Sequence, residues 1–132
     1  MKTFSGVIER STQGNCQLLD ITKDVQSLVS ESGVKTGQMT AMVVGSTASL
    51  STVEFESGLV NTDIAAALER LAPANDQYEH EAIWHDDNGH SHIRATLVGF
   101  LSSTAKSRLA HGNKSCLSTL TPVLDPVKLS PP

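Results

Sequence analysis

Four histidines, His80, His85, His90 and His92, fall within thirteen residues of one another. One residue separates His90 from His92, and on an extended strand the period of two puts both on the same face. Two imidazoles side by side are a common way to bind zinc, with His85 or His80 as a third ligand from the preceding loop. Asp86, Asp87 and Asn88 stand between them and are placed to orient the rings by hydrogen bonding. A solvated, His-rich surface loop accounts for the spacing equally well.

Glu54 lies between Val53 and Phe55 in an apolar run, which allows a carboxylate drawn into a pocket. An ordinary outward side chain is the simpler reading. Asp63 stands where a helix begins and is favourable near the positive helix end. Gly45-Ser46-Thr47, between two extended runs, could present backbone N–H groups to an anion, or form a plain turn. The sequence has no G-x-S-x-G elbow, no phosphate-binding P-loop and no C-x-x-C pair.

The elements that must position these residues are short. Cys16 to Ile21 reads as a strand. Thr22 then caps a helix with Val25, Leu28 and Val29 on one stripe, and Gly33 is a natural C-cap. Gln38 to Gly45 and Ser49 to Glu56 read as strands. Asn61 or Thr62 caps a second helix, with Ile64, Ala67, Leu68 and Leu71 on its stripe and Pro73 at its end. Residues 74–89 read as loop. His90 to Gly99 is the clearest strand, because Ile93, Ala95 and Leu97 alternate with His92, Arg94 and Thr96. The expected fold class is α+β: a mostly antiparallel β-sandwich with two short helices.

The chain of 132 residues suits one domain, and its 4% aromatic content requires a core of Leu, Val, Ile and Ala. A net charge of −4 gives no electrostatic reason to expect nucleic acid or an anionic membrane surface as partner. No run of 18 apolar residues is present, and Cys16 and Cys116 read as free thiols. A cytoplasmic location is the expectation.

Several segments together resemble the YjbQ-like family, the secondary thiamine-phosphate synthase enzymes. Gly45-Ser46-Thr47-Ala48-Ser49-Leu50, followed by Glu54, is similar to its first signature. Gly58-Leu59-Val60, Asp63-Ile64 and Leu68-Glu69-Arg70-Leu71-Ala72-Pro73 are similar to its second helix. Tyr78-Glu79-His80 and Trp84 through Ala95 are similar to its most distinctive block, which ends at Gly99. The resemblance covers residues 1–100. It implies a jelly-roll-like sandwich, a homotrimer and a weak thiamine-phosphate synthase activity on a small phosphorylated molecule. By position it implies a site of Glu54, Asp63, His80, His85, Asn88, His90 and His92. The histidines would hold a divalent metal ion, zinc or magnesium, with Glu54 or Asp63 helping to hold it or serving as a base, and Ser46 and Thr47 facing the phosphate.

After Gly99 the pattern departs from the family, so residues 101–132 read as a divergent tail replacing its closing strands. Another reading frame through His111 to Leu124 can encode an ending similar to the family's, which fits a misplaced splice junction or a small deletion. Three functions follow: a transferase, a non-catalytic metal- or anion-binding protein, or an inactive product of a damaged gene.

Overall fold

The computed structural model describes residues 3–102, except 15 and 36, together with 119–120. Helix α1 spans Thr22–Ser32. The Asp20 carboxylate accepts the Thr22 N–H at 2.8 Å, so Asp20 rather than Thr22 satisfies the start of the helix. Ile21 and Val25 are buried. Gly33 ends the helix at φ 64°, a left-handed conformation that a Cβ would strain, as the sequence predicts.

Strand β1, Thr52–Val53, pairs antiparallel with β2, Thr119–Leu120, in the register Thr52 opposite Leu120 and Val53 opposite Thr119. Two residues of the 101–132 segment, expected as a divergent tail, thus pair with β1. The rest of that expectation falls on residues outside those described. Gln38 to Gly45 forms no regular strand, and Met42 and Val44 in it are largely exposed. An extended run becomes a strand only where a neighbour takes its ladder hydrogen bonds, and the described residues offer it none.

The second helical run starts earlier than the sequence predicts. The Glu56 carboxylate accepts N–H groups from Gly58, at 2.8 Å, and Leu59. A π-helical turn over Leu59–Asp63 then leads into α2, Ile64–Leu71. The cap is therefore Glu56, not Asn61 or Thr62. Ala72 leaves the helix before Pro73, as the steric restriction on a residue preceding proline requires. Leu68 packs with Cys16, Leu18, Ile64, Ala65 and Val98 in the core, whereas Leu71 is exposed.

The largest departure lies downstream. Residues 74–89 hold a helix, α3, Glu79–Trp84, and the segment expected as the clearest strand is helix α4, Gly89–Ser102. Ser91, Arg94 and Ala95 are buried and Val98 packs on the core, while Ile93 and Leu97 are 40% and 41% exposed. Positions 91, 94, 95 and 98 follow the i, i+3, i+4, i+7 spacing of a helix face. Two of the four, Ser91 and Arg94, are polar, so hydropathy hid the face and left the chance alternation of Ile93, Ala95 and Leu97 to suggest a strand.

Candidate functional site

The corner where α3 turns into α4 holds most of the chemistry. His85 ends α3 in a left-handed conformation, φ 57° and ψ 33°, and its N–H donates to the Glu81 carbonyl at 2.8 Å. The Asn88 carbonyl accepts N–H groups from Ser91 at 2.9 Å and His92 at 3.2 Å, so Asn88 opens α4. Gly89 lies against Tyr78: a Cβ there would stand 2.7 Å from the Tyr78 Cβ, and this close approach requires glycine.

Helical geometry separates the two histidines expected on one face. A two-residue step turns a helix by roughly 200°. The His92 ring lies 4.5 Å from that of His80, tilted by 56°, whereas the His90 ring neighbours Tyr78 at 6.4 Å. His80 Nε2 also stands 3.4 Å from Asp86 Oδ1. The structure thus brings His80, Asp86 and His92 together and leaves His85 exposed. Among the described residues no three of His, Cys, Asp or Glu form a group able to hold a metal ion. The expected ligand set of His80, His85, His90 and His92 does not assemble, because α4 is a helix and not a strand.

Burial at this corner is nonetheless unusual. Among the described residues Asn88 Oδ1 and Ser91 Oγ are buried with no hydrogen-bond partner, His80 Nε2 and Asp86 Oδ1 are buried facing only each other at 3.4 Å, and Ser91 is 2% exposed. A buried polar atom left unsatisfied costs about 1–3 kcal/mol. Sequence reasoning passed over Ser91. Its only signal was its place between His90 and His92 behind the Asn88-Gly89 helix start.

Arg94 holds the corner in place. It is 3% exposed, donates to the Ala72 carbonyl from Nε at 2.9 Å and from Nη2 at 2.7 Å, and pairs with Glu69. The Ala74 N–H and then the Arg94 guanidinium hold the Glu69 carboxyl below the usual carboxylate range. Tyr78 donates its hydroxyl to the Pro73 carbonyl at 2.7 Å, and burial, then nearby Asp76, pushes its phenol up. The connection from α2 to α3 is thereby fixed at both ends.

The other expected residues lie elsewhere. Glu54 and Asp63 are exposed, and neither side chain makes a hydrogen bond or ion pair among the described residues. Thr47 is buried, Ser46 is exposed and borders a cleft with α4's later turns, and Ser49 donates its hydroxyl to the Ala95 carbonyl.

Among the described residues, four short helices with a polar corner between α3 and α4 define a small domain whose candidate site is built mainly by those two. The chain matches the family described as UPF0047 protein YjbQ-like over residues 7–112. It is 33% identical over 99 residues to a UPF0047 protein of Methanothermobacter thermautotrophicus, covering 75% of this chain and 67% of that one. It is also similar to the crystal structure of a YbjQ-like protein of unknown function from Sulfolobus solfataricus. That likeness has a TM-score of 0.72 and 30% identity, covering 89% of this chain and 83% of the other. The chain belongs to the YjbQ-like family. No helix among the described residues is long and apolar enough to cross a membrane.

Proposed function

We propose that the α3–α4 corner binds the phosphate group of a small phosphorylated molecule. One observation carries this reading: the Ser91 hydroxyl, 2% exposed, has no hydrogen-bond partner among the described residues and lies at the start of a fourteen-residue helix. The first turn of α4 supplies the positive end of the helix dipole. The Ser91 hydroxyl and the His80 imidazole add donors, and Asp86, 3.4 Å from His80 Nε2, is placed to orient the ring. Asn88 can present its amide to the same ligand.

The reaction implied by the resemblance fits this chemistry. It moves a pyrimidine-methyl group from its diphosphate to a thiazole phosphate, forming a C–N bond as the C–O bond to the leaving diphosphate breaks. Both substrates carry phosphate. Non-catalytic binding is the second reading, favoured by the exposed positions of Glu54 and Asp63 away from any side-chain partner. The jelly-roll-like sandwich, the homotrimer and a cytoplasmic location belong to the same proposal and rest on the family resemblance.

Trp84 is the chain's single tryptophan and lies four residues after His80, on the same side of α3. Its fluorescence should saturate on titration with inorganic phosphate or pyrophosphate. His80→Ala and Ser91→Ala should each weaken binding about tenfold, equivalent to ~1.4 kcal/mol. Unchanged affinity in both variants would overturn the reading. Incubation with the two phosphorylated substrates then decides between transferase and binder by whether thiamine phosphate accumulates.

A further inference from the structure

A second feature of the molecule lies one to two turns further along α4. A cleft of about 400 Å³ separates the 41–50 segment from the helix, bordered by Gly45, Ser46, Ser49, Ala95, Thr96 and Gly99. One hydrogen bond ties its two walls, and several of its lining residues are small. Ser49 hydrogen-bonds to the Ala95 carbonyl, and Thr47, Ala48, Ser49 and Ala95 are all buried. A Cβ added to Gly99 would meet, among the described residues, only the Ser49 Oγ at 3.4 Å.

The lining sets the chemistry of an occupant. Among the described residues no charged side chain borders the cleft, so a charged group there gains no partner from them for the hydration it loses. Met42 and Leu50 supply apolar surface. Ala48 lines the cleft, and no hydrogen bond among the described residues uses its peptide groups, which leaves polar groups for the edge of a ligand. The volume is near the lower end of small-molecule pockets, enough for one or two rings.

The position relates the cleft to the polar corner. Thr96 lies four residues after His92, one turn along the same helix face and a rise of roughly 6 Å. We propose that the cleft binds the uncharged, ring-sized part of the small molecule whose phosphate sits at the α3–α4 corner. The joining of the two subsites rests on the phosphate reading above, but the cleft itself does not.

The test uses the full chain, amide-resolved NMR and three probes: benzamide, benzoate and inorganic phosphate. Benzamide should shift the amides of Gly45, Thr47, Ala48, Thr96 and Gly99, and benzoate should bind about tenfold more weakly, a difference of ~1.4 kcal/mol. Gly99→Leu places a side chain in the cleft and should abolish the benzamide shifts while leaving phosphate shifts near His80 and Ser91 unchanged. Met42→Ala lies at a residue 79% exposed, so it tests the same wall without challenging the fold, and should weaken benzamide severalfold. Benzamide binding without phosphate binding supports the cleft and overturns the corner. Benzamide shifts absent, unaltered in both variants, or replaced by shifts that follow protein concentration overturn the cleft. In the last case a second copy of the chain covers it.

Discussion

The imidazoles of His80 and His92 meet across the α3–α4 corner with ring centroids 4.5 Å apart. Twelve positions separate them in the chain, and the contact exists because α3 reverses at His85 and α4 begins directly after Asn88. The pair replaces the neighbouring His90–His92 arrangement that an extended strand would have made. Every expectation about the corner therefore depends on what holds α3 and α4 in register.

Arg94 is the first such element. Its guanidinium donates twice to the Ala72 carbonyl and pairs with Glu69, so Arg94→Ala removes three interactions and leaves a buried carbonyl unpaired. A loss of about 2–4 kcal/mol is expected. Arg94→Lys should recover only part, because an ammonium lacks the planar fork. Urea denaturation of the two variants checks this, and equal stability of Arg94→Lys and the parent would contradict it.

Glu69 gives the corner an acid limit. Its carboxyl is held below its ordinary value by the Ala74 N–H and by Arg94, so the folded state favours the ionised form. A depressed carboxyl contributes stability that is present above its unfolded pKa of about 4.3 and is lost as pH falls through the lower folded value. Glu69→Gln should flatten the melting-temperature profile below about pH 4.5 and change it little near neutrality. An identical acid limb in the variant would remove Glu69 from this role.

Tyr78 makes the alkaline counterpart, and it is the chain's single tyrosine, so its titration can be followed by ultraviolet absorbance without overlap. Burial raises its pKa, which places ionisation above the ordinary value of about 10. Stability associated with the neutral phenol is intact below that value and declines as pH rises through the folded one. Tyr78→Phe should cost about 1 kcal/mol through loss of the hydrogen bond to the Pro73 carbonyl. A tyrosine titrating at or below its ordinary value would show the ring to be solvated.

His85 offers a discriminating substitution. It sits at φ 57°, where a Cβ costs roughly 1 kcal/mol and glycine costs none. His85→Gly should therefore leave stability unchanged or raise it by up to about 1 kcal/mol, with phosphate affinity intact. A large loss of affinity would return His85 to the binding site.

The residue types at the corner were legible in the sequence. The cluster of His80, His85, Asn88, His90 and His92 raised the expectation of a polar site, and Gly33 and Pro73 announced where two helices stop, because αL geometry and the clash before proline are local constraints. The class of α4 was not legible. Local hydropathy at Ile93, Ala95 and Leu97 favoured a strand, and only burial of polar Ser91 and Arg94 against distant partners shows which face points inward. Arg94 can be buried because Ala72 and Glu69, 22 and 25 residues earlier, satisfy its donors. Tertiary structure alone decided which histidines meet. The sequence by itself supplied the imidazoles and carboxylates, but long-range hydrogen bonds select the helix, and its 3.6-residue period sends His90 toward Tyr78 and His92 toward His80.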